Sequence, residues 1–231
     1  CPVGAITADN HCATIDPNKC ISCGKCASVC PYSAILFRRR PCEVACKIKA
    51  ISMDAKDNKA EIDNSKCISC GACMYQCPFG AIADKSYIVD TIGLMKKCGG
   101  NKQFKMIAVV APSIASQYSH AGVTLGQVVS GIKALGFHDV VEAALGADMV
   151  AYKEAGELAE KGFLTSSCCP AFVDYIEKAF PQLKDHISHN VSPVMEISRF
   201  IKQTDPDCKI IFIGPCTAKK MEFRKEKVKG I

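Results

Sequence analysis

The sequence predicts two units in tandem. Residues 1–90 read as a small cysteine-rich α+β domain, 91–104 as a linker, and 105–231 as an α/β domain with a mainly parallel sheet. Three observations carry this division. Twelve of the 17 cysteines, Cys1 to Cys77, fall in the first third of the chain. That region is internally repeated. Beyond about residue 90 cysteine becomes sparse, and short apolar runs alternate with stretches of helical periodicity, the pattern of a parallel sheet covered by helices.

Composition sets outer limits. At 231 residues, 48% hydrophobic and 23% charged, the chain has a globular balance rather than a disordered one. No run of 18 apolar residues is present, so nothing reads as a membrane span. The net charge of +6 is modest and its lysines are spread out. The one dense basic run, Arg38-Arg39-Arg40, reads as a solvated face, and the balance does not argue for nucleic acid. Residue 1 is Cys and the chain stops at Lys229-Gly230-Ile231, so both ends read as cut and the first domain as truncated at its N-terminus.

The cysteines of the first region are regularly spaced. Cys20, Cys23, Cys26 and Cys30 read C-x2-C-x2-C-x3-C with Pro31 next; Cys67, Cys70, Cys73 and Cys77 repeat this with Pro78. This is the bacterial ferredoxin spacing for [4Fe–4S] clusters. Three thiolates in a tight turn cap three irons of one cubane, and the fourth points to a neighbouring cluster. Gly24 and Gly71 sit where the backbone must pass close to the cluster. The repeat extends upstream. Cys1-Pro-Val-Gly-Ala-Ile6 precedes Cys20 by nineteen positions, and Cys46-Lys-Ile-Lys-Ala-Ile51 precedes Cys67 by twenty-one. Each then runs through a β-like stretch, 13–16 or 60–63, into Lys-Cys-Ile-Ser-Cys-Gly.

At least two [4Fe–4S] clusters follow, in one of two arrangements. Cys1 joins Cys20, Cys23 and Cys26 while Cys46 joins Cys67, Cys70 and Cys73; or, as in a simple two-cluster ferredoxin, Cys77 joins the first triplet and Cys30 the second. Cys30 is also placed to serve a cluster with residues upstream of Cys1, and Cys42 stands before Cys46 as Cys26 stands before Cys30. Disulfides would not need two such triplets, and zinc rarely takes three ligands in seven residues. Cys12 and Cys98 lie outside any motif and read as spare thiols.

The second region alternates. Residues 106–111 form an apolar run ending at Pro112, a buried strand. Residues 125–135 are a helix stopped by Gly136. Residues 139–144 read as the next strand, 148–161 as a helix, and 163–164 as a short strand leading to Thr165. Residues 171–180 are a helix ending before Pro181, 196–202 another, and 209–213 a buried strand. Sites in such sheets lie at the C-terminal ends of strands. Three polar segments fall there: Ala111-Pro-Ser113, Thr165-Ser-Ser-Cys-Cys-Pro170 and Gly214-Pro-Cys-Thr-Ala-Lys-Lys220. The thiols Cys168, Cys169 and Cys216 favour a metal or cluster site over buried structural cysteines, and Lys219 offers positive charge for an anionic ligand.

Thr165-Ser-Ser-Cys-Cys-Pro-Ala-Phe172 and Gly214-Pro-Cys-Thr-Ala-Lys-Lys-Met-Glu222, behind ferredoxin-type modules, resemble the [FeFe]-hydrogenases. The likeness is to the monomeric, ferredoxin-linked branch, with Cys-Cys-Pro-Ala-Phe in place of Cys-Cys-Pro-Gly-Trp. It implies a ferredoxin-like iron–sulfur domain followed by the first part of a hydrogenase catalytic domain. The implied activity is reversible reduction of protons to H2, with electrons relayed through [4Fe–4S] clusters. The implied cofactor is the H-cluster, a [4Fe–4S] cubane bridged by one cysteine to a diiron centre with CO, cyanide and a dithiolate amine.

By that resemblance Cys169 and Cys216 ligate the cubane, Cys168 passes protons to the amine, and Lys219 holds a cyanide. Pro112 and Ser113 line the pocket, while Glu154, Glu157 and Ser188 continue the proton path. Without the resemblance the two glutamates would be an exposed helix face. Gly214 stands where many members have Met, and Val194 where many have Gln. The family's other two active-site cysteines belong to a Gly-rich loop beyond residue 231, so this stretch alone is expected to be inactive. The resemblance also implies ferredoxin or a similar electron carrier, dedicated maturation proteins, and a reducing cytoplasmic setting. The rival expectation is a non-catalytic hydrogenase-like protein serving sensing, cluster assembly or electron transfer.

Overall fold

The computed structural model describes residues 1–36, 38–54, 57 and 59–224. The tail 225–231, counted above in the second domain, lies outside them.

The sequence repeat is a structural repeat. Strands β1 (Ile6–Asp9) and β2 (Cys12–Ile15) form an antiparallel hairpin pairing Ile6 with Ile15. Its two-residue turn, Asn10-His11, has positive φ at both positions (48° and 63°), the conformation that matches the twist of paired strands. The first cysteine loop and the short helix α1 (Lys25–Val29) follow. After helix α2 (Pro41–Ala45) the pattern recurs. Strands β3 (Ile51–Met53) and β4 (Ala60–Ile62) pair Ile51 with Ile62, and a cysteine loop leads into helix α3 (Ala72–Tyr75).

Helix α4 (Ile88–Cys98) occupies much of the segment read as a linker. Its Leu94, Met95 and Cys98 pack into the core of the second domain. Gly99, in the left-handed region at φ 58°, ends it.

The second domain is a three-stranded parallel sheet in the order β6-β5-β7, made of β5 (Met106–Val110), β6 (Asp139–Glu142) and β7 (Lys209–Ile213). Every residue of β5 is buried, which explains its unbroken apolar run. Successive side chains point to opposite faces. Ile107 and Val109 meet Ala143 and Met149 of α7 (Ala143–Lys161) and Val194, Ile197 and Ile201 of α9 (Pro193–Thr204). Met106, Ala108 and Val110 meet α4 and Val128 and Ile132 of α6 (Leu125–Ala134). The crossing of α7 and α9 is tight at Gly146, where a Cβ would lie 2.1 Å from the Pro193 carbonyl oxygen. The remaining helices are α5 (Ile114–Gln117), α8 (Pro170–Ala179) and α10 (Thr217–Glu222), with 3-10 turns at Ser119–Ala121 and Pro181–His186.

Three sequence expectations are corrected. Ala143 and Ala144 open α7 rather than ending a strand, because Glu142 already adopts the extended cap conformation and alanine favours the helix. Helix α9 starts at Pro193, not Glu196, since proline needs no hydrogen-bond donor in a first turn. No strand precedes the Thr165 loop among the described residues; one parallel bridge, Thr165 to Ile187, holds it.

Candidate functional site

The cysteine loops have a backbone shaped around their sulfurs. Ser22 and Gly24, and likewise Ser69 and Gly71, adopt positive φ. This turns backbone N–H groups inward: Ser22 N–H donates to Cys20 Sγ and Ser69 N–H to Cys67 Sγ, both at 3.4 Å. The cysteines outside the triplets share another device. Ala5 N–H donates to Cys1 Sγ (3.3 Å), Ala50 N–H to Cys46 Sγ (3.1 Å) and Ala81 N–H to Cys77 Sγ (3.3 Å). Cys30 belongs with them: backbone N–H groups at Ala34 and Tyr32 hold its thiol below the ordinary range. Backbone groups at Phe79 and Ala81 do the same for Cys77. The sequence marks this set beyond the repeat of Cys1 and Cys46. All four are followed by Ala-Ile at the fourth and fifth positions.

Cys1, Cys20, Cys23 and Cys26 line one cavity of about 400 Å³, walled by Ile6, Ile15 and Ile21; Cys30 and Cys77 do not border it. In the second module burial pushes the Cys73 thiol up, and neighbouring Cys67 and Cys70 add to this. Among the described residues no three His, Cys, Asp or Glu side chains stand close enough to share one ion. Four thiols around a cavity that none of them fills suit a cluster with several irons better than a single zinc. Cys12 is exposed, whereas Cys42, Cys98 and Cys208 are buried.

The second set of thiols lies at the starts of two helices, with Cys216 following β7 and Cys168 and Cys169 in the loop held by the Thr165 bridge. Cys169 and Cys216 occupy the cap positions of α8 and α10, helices that pack against each other, and Cys168 is exposed beside them. Pro112 and Ser113 follow β5 directly. A Cβ at Gly214 would meet the Phe212 ring at 2.6 Å and Ala111 Cβ at 3.0 Å, so a methionine there would require the phenyl ring to move. Val194 is buried in the sheet core. Cys216 also borders an apolar groove of about 1080 Å³ beside β7, lined by Met195, Phe212 and Phe223.

Lys219 is not a solvated lysine. It is 8% exposed, and its ammonium donates to the Cys168 carbonyl (3.1 Å) and to Glu222 Oε2 (2.9 Å). Ser192 Oγ donates to the same carboxylate oxygen at 3.0 Å. Glu222 and Ser192 are thus part of the arrangement that fixes the Cys168 backbone. Glu222 ends a motif read from the sequence, but its role required the fold.

Glu154 and Glu157 lie in α7, joined through side chains from two loops. Glu154 Oε1 accepts from Ser166 Oγ (3.0 Å) and Ser167 N–H (3.2 Å), and Ser166 Oγ accepts from Cys168 N–H (3.3 Å). Glu157 accepts from Lys161 Nζ (2.8 Å), Ser188 Oγ (2.9 Å), Asn190 Nδ2 (3.0 Å) and His189 N–H (3.1 Å). Ser167 Oγ donates to the Asn190 carbonyl and closes the gap between the two carboxylates. Burial pushes the Glu157 carboxyl up, but the Lys161, His189 and Ser188 donors outweigh it and hold its pKa at about 2. Asn190 and Lys161 carried no motif, and Ser167 stood in the Thr165–Phe172 motif without an assigned role.

The two cysteine regions touch. Thr217, next to Cys216, donates its hydroxyl to the Ser69 carbonyl at 2.7 Å, and Lys178 of α8 donates to the Cys67 carbonyl at 2.7 Å. A Cβ at Gly71 would lie 2.7 Å from Thr217 Oγ1. Lys220 pairs with Asp84 nearby.

Residues 104–231 match the family model of the iron only hydrogenase large subunit, C-terminal domain. The chain belongs to this family. Residues 12–78 of this hydrogenase-family chain match a 4Fe-4S dicluster domain. Iron hydrogenase 1 of Clostridium pasteurianum is 30% identical over 90% of this chain and 38% of its own length. The periplasmic [Fe] hydrogenase large subunit of Nitratidesulfovibrio vulgaris is 28% identical over 95% of this chain and 53% of its own. The chain therefore spans between two fifths and about half of these relatives. A cytosolic Fe-S cluster assembly factor, NAR1, of Kluyveromyces lactis is 41% identical over 29% of this chain and 14% of its own. A solved structure concerned with stepwise [FeFe]-hydrogenase H-cluster assembly, HydA(deltaEFG), has a TM-score of 0.56 at 23% identity. It covers 64% of this chain and 43% of that one, a likeness of fold. Among the described residues no helix is long and apolar enough to cross a membrane.

Proposed function

We propose that this chain is the electron-entry and proton-supply part of an [FeFe]-hydrogenase that interconverts protons, electrons and H2. One observation carries the proposal. A chain of hydrogen-bonded residues connects Glu157 to the region of Cys168: the Asn190 amide bonds Glu157, the Asn190 carbonyl accepts from Ser167 Oγ, Ser167 N–H and Ser166 Oγ bond Glu154, and Ser166 Oγ accepts from Cys168 N–H, beside the helix caps Cys169 and Cys216. In this reading Cys1 with Cys20, Cys23 and Cys26, and Cys46 with Cys67, Cys70 and Cys73, hold [4Fe–4S] clusters. The shared cavity of the first four supports the local pairing. Cys169 and Cys216 hold one side of the H-cluster cubane, and the H-cluster supplies the redox chemistry of H2.

The protein's own groups orient and deliver. Lys219, held by Glu222, fixes the Cys168 loop and turns a buried positive charge to that region, where it suits an anionic ligand. The Cys168 backbone N–H is the inner end of this chain and its thiol is exposed; in this reading the thiol moves a proton between the site and Glu154. Pro112 and Ser113 border the site from β5. Thr217 and Lys178 fix the second cysteine loop against the thiols at the helix starts, which keeps the electron route short. The partners are ferredoxin or a similar carrier and the maturation proteins that build the diiron centre, in a reducing compartment.

The test is H2 evolution from reduced viologen by the full reading frame, matured anaerobically. Cys168→Ser is expected to lower turnover by about 100-fold or more, on the scale of a positioned proton-transfer group. Near-full turnover in that variant removes Cys168 from the mechanism. The match to a cluster assembly factor and the departures at Gly214 and Val194 favour a second reading, a non-catalytic iron–sulfur protein. Clusters present with no H2 turnover in the wild type would select it.

A further inference from the structure

We propose that His189 is the proton-exchange group at the outer end of this path, passing protons between bulk water and the Glu157 carboxylate. This rests on the hydrogenase reading for its purpose but not for its geometry. Glu157 is an unsuitable terminus by itself. Its side chain is 13% exposed and engaged by donors on every side. The His189 side chain, by contrast, is 81% exposed, and its Nδ1 lies 2.9 Å from Glu157 Oε1. One ring nitrogen is thus in contact with the buried carboxylate while the ring as a whole is open to water. The His189 backbone N–H also donates to Glu157, so the residue is anchored at the carboxylate while its ring remains accessible.

The other charged group in contact is Lys161 of α7. Its Nζ lies 2.8 Å from Glu157 Oε1 and 3.2 Å from His189 Nδ1. His186, from the preceding 3-10 turn, packs edge-on to Phe163 instead, with ring centroids 5.0 Å apart. A lysine ammonium has donors only, whereas an imidazole can accept a proton on one ring nitrogen while donating from the other. Lys161 therefore acts as a fixed counter-charge and His189 as the exchanging group.

The step balances as follows. Neutral His189 carries its proton on Nδ1, donated to Glu157 Oε1, and offers the Nε2 lone pair to water. A proton from a solvent acid binds Nε2 as the Nδ1 proton crosses to the carboxylate; because its donors hold Glu157 at a pKa of about 2, the carboxylate carries that proton only in passing, and one proton has moved inward. The exposed ring returns to its Nδ1–H form by exchange with water. The reverse sequence carries protons out during H2 oxidation.

The first test is independent of H2 turnover. Nitrogen-15 NMR of the ring nitrogens, in the cluster-loaded oxidised protein, is expected to show neutral His189 as the Nδ1–H tautomer, the form a free histidine side chain disfavours. Glu157→Gln is expected to shift it toward Nε2–H. A wild-type ring already in the Nε2–H form, with Lys161 donating to Nδ1, overturns the proposal even if the protein evolves H2. The second test uses the active holoenzyme. His189→Ala is expected to lower proton-limited turnover by roughly 10- to 100-fold, at or below the usual contribution of a positioned acid–base group. Free imidazole added to the assay should restore the rate, in this variant and in His189→Gln. Unchanged turnover, or a loss that imidazole does not restore in either variant, overturns the shuttle role. If the tautomer is as expected but the wild type makes no H2, the hydrogenase reading fails and the ring geometry stands.

Discussion

Removing the Glu222 carboxylate is the sharpest test of how the Cys168 loop is held. Glu222→Ala leaves the Lys219 ammonium, 8% exposed, with a single neutral acceptor, the Cys168 carbonyl. It also strips the 1%-exposed Ser192 hydroxyl of its acceptor. Breaking one side of a buried ion pair costs about 3–5 kcal/mol, and an unsatisfied buried hydroxyl adds about 1 kcal/mol. Lys219 has a flexible stem, and some outward movement offsets part of this. A net loss of about 3 kcal/mol is expected, or roughly 6–12 °C in Tm for a domain of this size. The assay is thermal and denaturant unfolding of the cluster-loaded protein, with an unchanged denaturant slope as the control for cooperativity. Glu222→Gln keeps an acceptor for both donors and should lose clearly less. The double variant Lys219→Met with Glu222→Leu should recover much of the loss, since an apolar pair of similar volume carries no unpaired charge. Loss of less than about 0.5 kcal/mol in Glu222→Ala, the level of an ordinary surface change, would refute the buried-pair account.

Three further outcomes are expected. Glu157 has a folded pKa of about 2 against an ordinary value of 4.5. Its contribution to stability is therefore complete above about pH 4.5 and is lost as pH falls toward 2. The stability gap between wild type and Glu157→Gln should narrow over that window in acid unfolding, and a constant gap would count against the ion cluster. Cys1→Ser and Cys46→Ser should each remove one cubane's iron from the reconstituted protein while Cys42→Ser should not; loss in Cys30→Ser and Cys77→Ser instead would indicate cross-pairing. Gly71→Ala combines a positive φ of 78° with a 2.7 Å approach to Thr217 Oγ1 and should cost about 1–3 kcal/mol, read by unfolding. Adding Thr217→Ala should restore the steric share and leave the backbone share.

The sequence made visible those features that depend on local chain geometry. The β5 run was legible because a strand buried on both faces cannot tolerate polar residues; the β7 run, read as a buried strand, is an edge strand that begins at exposed Lys209 and is otherwise half-buried. The cysteine triplets were legible because a tight turn around a cluster has a fixed spacing. Helix α4 was missed because its burial is set by a sheet that follows it in the chain and its start at Tyr87 has no side-chain cap; only Gly99 marks its end. The same limit applies to the site. Glu154, Glu157 and Ser188 came from resemblance, while Asn190 and Ser167, which link them, meet α7 only after the chain returns. Glu222 stood in a motif, yet its bond to Lys219 shows only when α10 is wound and Ser192 approaches from α9. Gly214 could be named from the sequence, but the Phe212 ring that a side chain there would meet shows only in the fold.

The contact of Gly71 with Thr217 bears on how such proteins are assembled from parts. Ferredoxin-like modules are commonly regarded as interchangeable cassettes, joined or shed without disturbing their neighbour. Here the cassette's inner loop is keyed to the helix that follows Cys216. It lacks a side chain where the threonine hydroxyl enters, and it presents the Ser69 and Cys67 carbonyls to Thr217 and Lys178. A replacement module would need that bare position and the same two carbonyl directions. Among the described residues, the hydrogen bonds that key a cysteine loop to the second domain come from the inner module, bounded by Cys46 and Cys77.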